Sequence, residues 1–588
     1  MWGWILLALF ALWFFVRYLW TDYTLPAFPN APIPPVRTFT GRDLPIVSPT
    51  TGETLKKDFA ATEDEVSFFF FFFLSFLPAR LQVKDVVRRA RVAQQKWKNS
   101  SFAERRSVLM DVMQYVIDHG EEIARNSVLE SGKTRFEGVS GELLPTCEKI
   151  RYMCSAGEAA LRDESRTVPL MLLTKKAFVR YQPLGVIGCI IPGNFPFHNA
   201  VSHITTALFS GNAAVVKISE WGSLSRVFIQ NMYNTILSRR GHSIDLVTLI
   251  PGYGETGAAL IASGIDKILF IGSPATGQRV MKACADAYVP VTLELGGKDP
   301  FVVFNDCEFE QTASVCLRAS FINAGQNCIS AERIYVQSGI YDKFVAYMTP
   351  RIQGLRQGNG LEGTFDVGAF GIPQQAGLVE ALVQEAVAKG AKVLAGGRRN
   401  PNTHKEGRFY EPTLLVGVTH DMDIVKKECF GPVMTVIKFD TEEELIAGIN
   451  SSEFALGASI FTTDYAKGDR VGRSIHSGMI SINDWAMVPL VASLPFGGSK
   501  LSGFGRFAGP EGLRDFCNIQ SVLTDRFPIR TPQPSWLGFP MPDFAPDVMR
   551  RAIGIIYAHG ARAKIAQLAE MAGVLKGIFF GAAKSKTN

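Results

Sequence analysis

From Gly185 to Leu295 short apolar runs alternate with segments of helical period, and this alternation restricts the fold more than any other feature of the chain. GVIGCIIP (Gly185–Pro192) has the length and composition of a buried strand, PFHNAVSHITTALFSG (Pro196–Gly211) reads as a helix, AAVVKIS (Ala213–Ser219) as a second strand, and another helix is expected from about Ser223. DLVTLIPG, a short helix, DKILFIG, a further helix and VPVTLEL continue the series. Buried strands joined by crossover helices build a doubly wound parallel sheet. Such sheets take ligands at the carboxyl ends of their strands, so the residues just past each strand are the functional candidates.

Lys217 and Glu220 fall past one strand end. A carboxylate there can accept hydrogen bonds from both ribose hydroxyls and repels a 2′-phosphate, which favours NAD over NADP. FIGSPATGQ sets Gly272 and Ser273 at a strand-to-helix turn, with Gly277 one turn on. A phosphate can sit on such a turn, although the spacing is not GxGxxG and an ordinary helix N-cap reads the same way. IPGNFPF (Ile191–Phe197) puts Asn194 after the first strand, where its amide could donate to an oxyanion; a turn residue beside proline is the plainer reading. LELGGKDP (Leu293–Pro300) ends a strand with Glu294, a position more often structural than catalytic. FINAGQNCISAER (Phe321–Arg333) displays Cys328 in a polar, glycine-containing stretch between apolar runs, although most single cysteines are inert buried thiols.

Together and in this order, these pieces are far more specific than any alone. The chain resembles the aldehyde dehydrogenase superfamily from about Val47 to about Thr524, through IPxNxPF, VVKxSE (Val215–Glu220), the Gly272–Gly277 turn, ELGGK (Glu294–Lys298), GQxC (Gly325–Cys328), ExFGPV (Glu428–Val433) and PFGGxKxSGxGR (Pro495–Arg506). The resemblance implies an α/β fold: a Rossmann-type NAD domain, an α/β catalytic domain and a small oligomerisation β-element. It also implies NAD-dependent oxidation of an aldehyde. In the implied roles Cys328 attacks the carbonyl, Asn194 and the Cys328 backbone N–H hold the oxyanion, and Glu294 activates water for hydrolysis of the thioester. Lys217 and Glu220 match the adenosine-ribose ligands, Gly272 and Ser273 the pyrophosphate turn, and Glu428 the nicotinamide-ribose ligand, with Phe430 packed nearby. One departure stands out: Gly193 occupies a position that is usually Trp, which is expected to alter the stiffness of the loop and the room in the substrate tunnel. An acylating enzyme that passes the thioester to coenzyme A is a competing reading, but such relatives generally lack the Glu294 equivalent. A catalytically impaired binding protein of the same fold is the other, and the joint presence of Cys328, Glu294 and Asn194 weighs against it.

The ends add a location. Trp2 to Val16 carries no charge, Arg17 follows, and Trp2, Trp4, Tyr18 and Trp20 flank the run, as interfacial aromatics do around a span of roughly 20 apolar residues. The first basic residues, Arg17, Arg37 and Arg42, follow the span, so the positive-inside tendency puts the body in the cytosol on an endoplasmic-reticulum-type membrane. Nine cysteines without a CxxC spacing suit a reducing compartment and no metal site. From Ala545 onward seven Lys or Arg face two acids, which leaves the remainder of a +6 chain nearly neutral and argues against nucleic acid. Within the superfamily this pairing of apolar start and basic tail looks like a membrane-attached branch of fungi and plants.

The 588 residues divide on this reading into an anchor (1–20), a proline-rich linker (21–42), an NAD-binding domain (43–295), a catalytic domain (296–480), a return and oligomerisation segment (481–526) and a proline-rich then basic helical tail (527–588). Residues 162–182 are expected to be oligomerisation strands, and the enzyme a homo-oligomer. Residues 66–82, with six phenylalanines from Phe68 to Phe73, fit neither a span nor a cytosolic loop. Their codons can begin as a splice donor, run as a pyrimidine tract and end as an acceptor, so the stretch is expected to be a retained intron; a hydrophobic loop resting on the membrane is the plainer alternative. The mature transcript tests that expectation.

Overall fold

In a computed structural model the chain is described over residues 43–52, 54–59, 79–401, 407–485, 488–530 and 537–584. The expected anchor and linker, and the insert as far as residue 78, lie outside the described residues. Among the described residues no helix is long and apolar enough to cross a membrane.

The larger of two compact units takes the chain up to Leu161 and again over Gln182–Asn518. The alternation from Gly185 forms a six-stranded sheet in the order Gly503–Phe504, Val291–Glu294, Lys267–Ile271, Val186–Ile190, Ala213–Lys217, Val247–Ile250. All pairs are parallel except the short antiparallel edge at Gly503–Phe504. Strand order reverses beside Val186–Ile190, where Lys267–Ile271 returns to its other side. The loops after these two strands therefore flank a topological switch point, the natural ligand crevice of such a sheet.

Helices cover both faces. Pro196–Phe209 starts with proline, whose missing N–H costs nothing there, and is buried along most of its length. Ala79–Trp97 buries Val83, Val86, Val87, Ala90 and Trp97, the residues whose helical spacing is visible in the sequence. Trp97 Nε1 also donates to the Leu208 carbonyl at 2.9 Å, which satisfies its polar edge in the core.

A second sheet in this unit has seven strands in the order Lys392–Ala395, Thr413–Val416, Val433–Phe439, Ala331–Gln337, Asp299–Val303, Gly457–Phe461, Met479–Ile482, parallel but for its first edge strand. Its central strands are apolar on both sides and seed the Phe301, Val303, Ile334 and Val436 cluster.

The smaller unit comprises Arg162–Tyr181 and the chain from Ile519 onward. Glu164–Arg166 pairs antiparallel with Lys175–Pro183, whose other neighbour is Cys517–Asp525. The basic tail forms two helices, Ala545–Tyr557 and Ala561–Lys584, interrupted at Gly560, where φ is +83°. They pack closely: a Cβ at Gly554 would meet the Gln567 side chain at 2.6 Å.

Candidate active site

Cys328 is presented by a strained turn. Asn323, Ala324 and Gly325 in succession take φ of +52°, +53° and +74°, a left-handed run that is costly for non-glycine residues. Hydrogen bonds hold it in place. Asn323 N–H donates to Glu137 Oε1 at 2.6 Å, Asn323 Nδ2 donates to the Asn194 and Gln326 carbonyls, and Gln326 Nε2 ties back to Asn323 and Ala369. Only glycine fits at Gly325, because a Cβ would collide with the Gly431 carbonyl. The same Glu137 closes a capping box with Thr134, so a helix start braces the cysteine turn.

Glu294 ends its strand and points at this turn from the nucleotide-type sheet. Burial raises its carboxyl to about 7, with the Cys328 side chain and the Gly296 backbone opposing the shift. Its Oε1 is buried without a hydrogen-bond partner. Burial, and after it the Glu294 carboxylate, push the Cys328 thiol well above its ordinary range. The resting pair is thus a protonated thiol beside a carboxyl poised near neutrality.

Asn194 reaches the same place from the loop after Val186–Ile190. Its Nδ2 donates to the Gln326 carbonyl at 3.3 Å and its Oδ1 accepts from Phe195 N–H. Among the described residues the Cys328 backbone N–H meets no intramolecular acceptor. Both donors belong to the cysteine turn and its neighbour, and Asn194 and Cys328 line one cavity. Behind Asn194 stands a fully buried ion pair: Lys133 Nζ lies 2.6 Å from Glu142 Oε1 and donates at 2.8 Å to the Asn194 carbonyl. Glu142 also accepts from Ser127 Oγ and from His198 N–H.

A cavity of about 1110 Å³ joins these groups. Cys328, Glu294 and Asn194 line it, and so do Gly272, Ser273, Glu428 and Phe430. Ser273 is the N-cap of Pro274–Asp286, as the plainer sequence reading has it, and the turn still opens its N-terminal end to the cavity. Glu428 accepts from Gly297 N–H at 3.2 Å; a Cβ at Gly296, where φ is +86°, would collide with its carboxylate. The Glu428–Phe430 turn is pinned by Glu332, which accepts from Cys429 N–H at 2.8 Å and Phe430 N–H at 2.9 Å and pairs with buried Lys298. Phe430 itself has φ of +49°. Lys217 and Glu220 stand outside the cavity lining at their strand end, 3.5 Å apart, where burial lowers Lys217 and Glu220 opposes the shift.

One expectation needs correcting. Gly193 does not line the cavity: a Cβ there would face Trp221 Cβ at 3.2 Å and Ser219 Cβ at 3.6 Å. The position looks into the turn after Ala213–Lys217, so the missing large ring opens no room beside Cys328. Sequence reasoning passed over Lys133, Glu142, Glu137, Glu332 and Lys298. Thr134 and Glu137 were legible as a capping box; the others are charged residues that only the fold buries.

The aldehyde dehydrogenase family model matches residues 78–522. An aldehyde dehydrogenase-like protein of Schizosaccharomyces pombe is 38% identical over 473 residues, 80% of this chain and 90% of that protein. The 4,4'-diapolycopene aldehyde oxidase of a Methylomonas species is 33% identical over 78% of this chain and 84% of its own length. The NAD+ complex of an aldehyde dehydrogenase from Bacillus cereus superposes with a TM-score of 0.74 at 28% identity, covering 86% of this chain and 99% of that one. The chain belongs to the aldehyde dehydrogenase family and is an NAD-dependent aldehyde dehydrogenase.

Proposed function

We propose that Cys328, Glu294 and Asn194 carry the reaction, the oxidation of an aldehyde to its acid. The observation that supports this most is their convergence on one cavity that also reaches Gly272, Ser273 and Glu428. The Cys328 sulfur, its proton released to solvent, attacks the carbonyl carbon as the thiolate. The oxyanion forms where the Asn194 amide and the Cys328 N–H point. NAD, when bound, would supply the hydride acceptor needed to oxidise the thiohemiacetal to a thioester. Glu294, buried and near neutrality, then takes a proton from the water that cleaves that thioester and regenerates the thiol. Lys217 and Glu220 hold the adenosine ribose, Gly272 and Ser273 the pyrophosphate, and Glu428 with Phe430 the nicotinamide ribose. With Glu294 in place, hydrolysis rather than transfer to coenzyme A completes the cycle.

The preferred substrates are medium- or long-chain aliphatic aldehydes. The cavity around Cys328 carries large apolar side chains, among them Leu144, Trp485, Leu490, Phe496 and Phe507, and one relative acts on a diapolycopene aldehyde by name. The apolar run from Trp2 and the basic tail attach the enzyme to a membrane as in the branch they resemble, with the body on the cytosolic side, where lipophilic aldehydes concentrate. Residues 162–182 serve a homo-oligomer. The test is kcat/KM for acetaldehyde, hexanal and a long-chain aldehyde with protein lacking residues 1–20. The expected series rises with chain length; a flat or falling series removes the lipid-aldehyde reading and leaves the reaction class.

A further inference from the structure

The cavity contains a cation that the chemistry above does not use. Lys149 lies on the helix Leu144–Tyr152, where Pro145 and Lys149, four residues apart, turn the same face toward the cavity. Its residue is only 6% exposed, and among the described residues no hydrogen bond or ion pair engages its Nζ. Among the described residues the ring of Phe507, with its centroid 5.8 Å away, is its one aromatic contact. The other titratable groups facing it are His198 and His203, whose pKa values burial and then Lys149 itself drive down, so both are neutral. No carboxylate contributes to its environment, and burial alone lowers it to about 7. Elsewhere in this protein buried lysines have partners: Lys133 has Glu142 and Lys298 has Glu332. A buried amine left unpaired in a largely apolar wall is a costly arrangement, and an anion arriving in the cavity would relieve it.

We propose that Lys149 receives a carboxylate at the far end of the aldehyde, so that between aliphatic aldehydes of equal chain length the enzyme prefers the oxo acid, whose other terminus is a carboxylate, over the plain alkanal. This deepens the reading of the cavity as an aldehyde site and rests on it. The aldehyde goes to Cys328, the intervening methylenes lie along the apolar wall, and the carboxylate takes the proton-bearing amine as its charge-assisted partner. A core lysine without a binding role would give no such discrimination.

The test compares hexanal with adipic semialdehyde and nonanal with azelaic semialdehyde in the purified full chain. In the wild-type protein at least one oxo acid should exceed its matched alkanal in kcat/KM by about tenfold or more, the scale of a charged hydrogen bond. In Lys149→Met that ratio should collapse toward unity, chiefly through KM; Lys149→Gln serves if the first variant does not fold. Azelate should compete with nonanal in the wild-type protein and lose that effect in either variant. Equal kcat/KM within both wild-type pairs, or a preference that survives in the variants, would overturn the proposal. If none of the four aldehydes is oxidised, the reading of the site itself fails instead.

Discussion

Replacing Glu294 with glutamine separates two consequences of its burial. The carboxyl stands at about 7 against an ordinary 4.5. At 1.36 kcal/mol per unit, ionising it in the folded protein costs about 3 kcal/mol more than in the unfolded chain. Because the folded value is the higher one, the stability it confers is fully present below the unfolded value and is lost as pH rises through about 7. Glu294→Gln cannot ionise, so its melting temperature relative to wild type should climb between pH 4 and pH 8 as the wild type loses about 3 kcal/mol. In rapid mixing with NAD and aldehyde the variant should still release a burst of NADH near one equivalent per site. Steady turnover should fall by about a hundredfold to ten-thousandfold, the usual worth of a positioned base. Wild-type turnover limited by deacylation should rise with pH through the same region. A melting difference that does not change with pH would refute the burial argument. Loss of the burst along with turnover would move Glu294 into the acylation step, where its position beside the thiol also allows it to act.

Glu220→Gln should narrow the preference for NAD over NADP in kcat/KM; a wild-type enzyme that already uses both equally would show that Glu220 does not meet the ribose. Lys133→Met strands Glu142 in the core and should cost about 3–5 kcal/mol in denaturant titrations. Pairing it with Glu142→Leu should recover much of that stability but not kcat, because the Asn194 carbonyl still lacks its Lys133 donor.

The nucleotide-type sheet was legible because its signal is periodic. Every strand placed between Gly185 and Leu295 is observed within a few residues of its expected limits, since runs such as AAVVK have no other way to bury both faces. Site residues at or just past strand ends, Asn194, Glu294 and Gly272, were legible for the same reason. What escaped is support made across long sequence separations. Lys133 braces Asn194 from sixty-one positions away, and Glu332 pins the Glu428 turn from ninety-seven. Neither spacing leaves a local pattern. Gly193 misled for a related reason: its substitution is visible in sequence, but the direction a larger side chain would take depends on the turn at Ser219 and Trp221. The break at Gly560 was within reach, since glycine after His559 interrupts an otherwise helical tail.

The most direct test of the account is to trap the thioester. Glu294→Gln, mixed with NAD and hexanal, acid-quenched and digested with trypsin, yields the peptide Ala319–Arg333, in which Cys328 is the single cysteine. The account predicts a mass increase equal to the acyl group of hexanoate on that peptide, dependent on NAD and absent from Glu294→Gln/Cys328→Ala. An NADH burst with no adduct on Cys328, or with the acyl group on another cysteine, would contradict it.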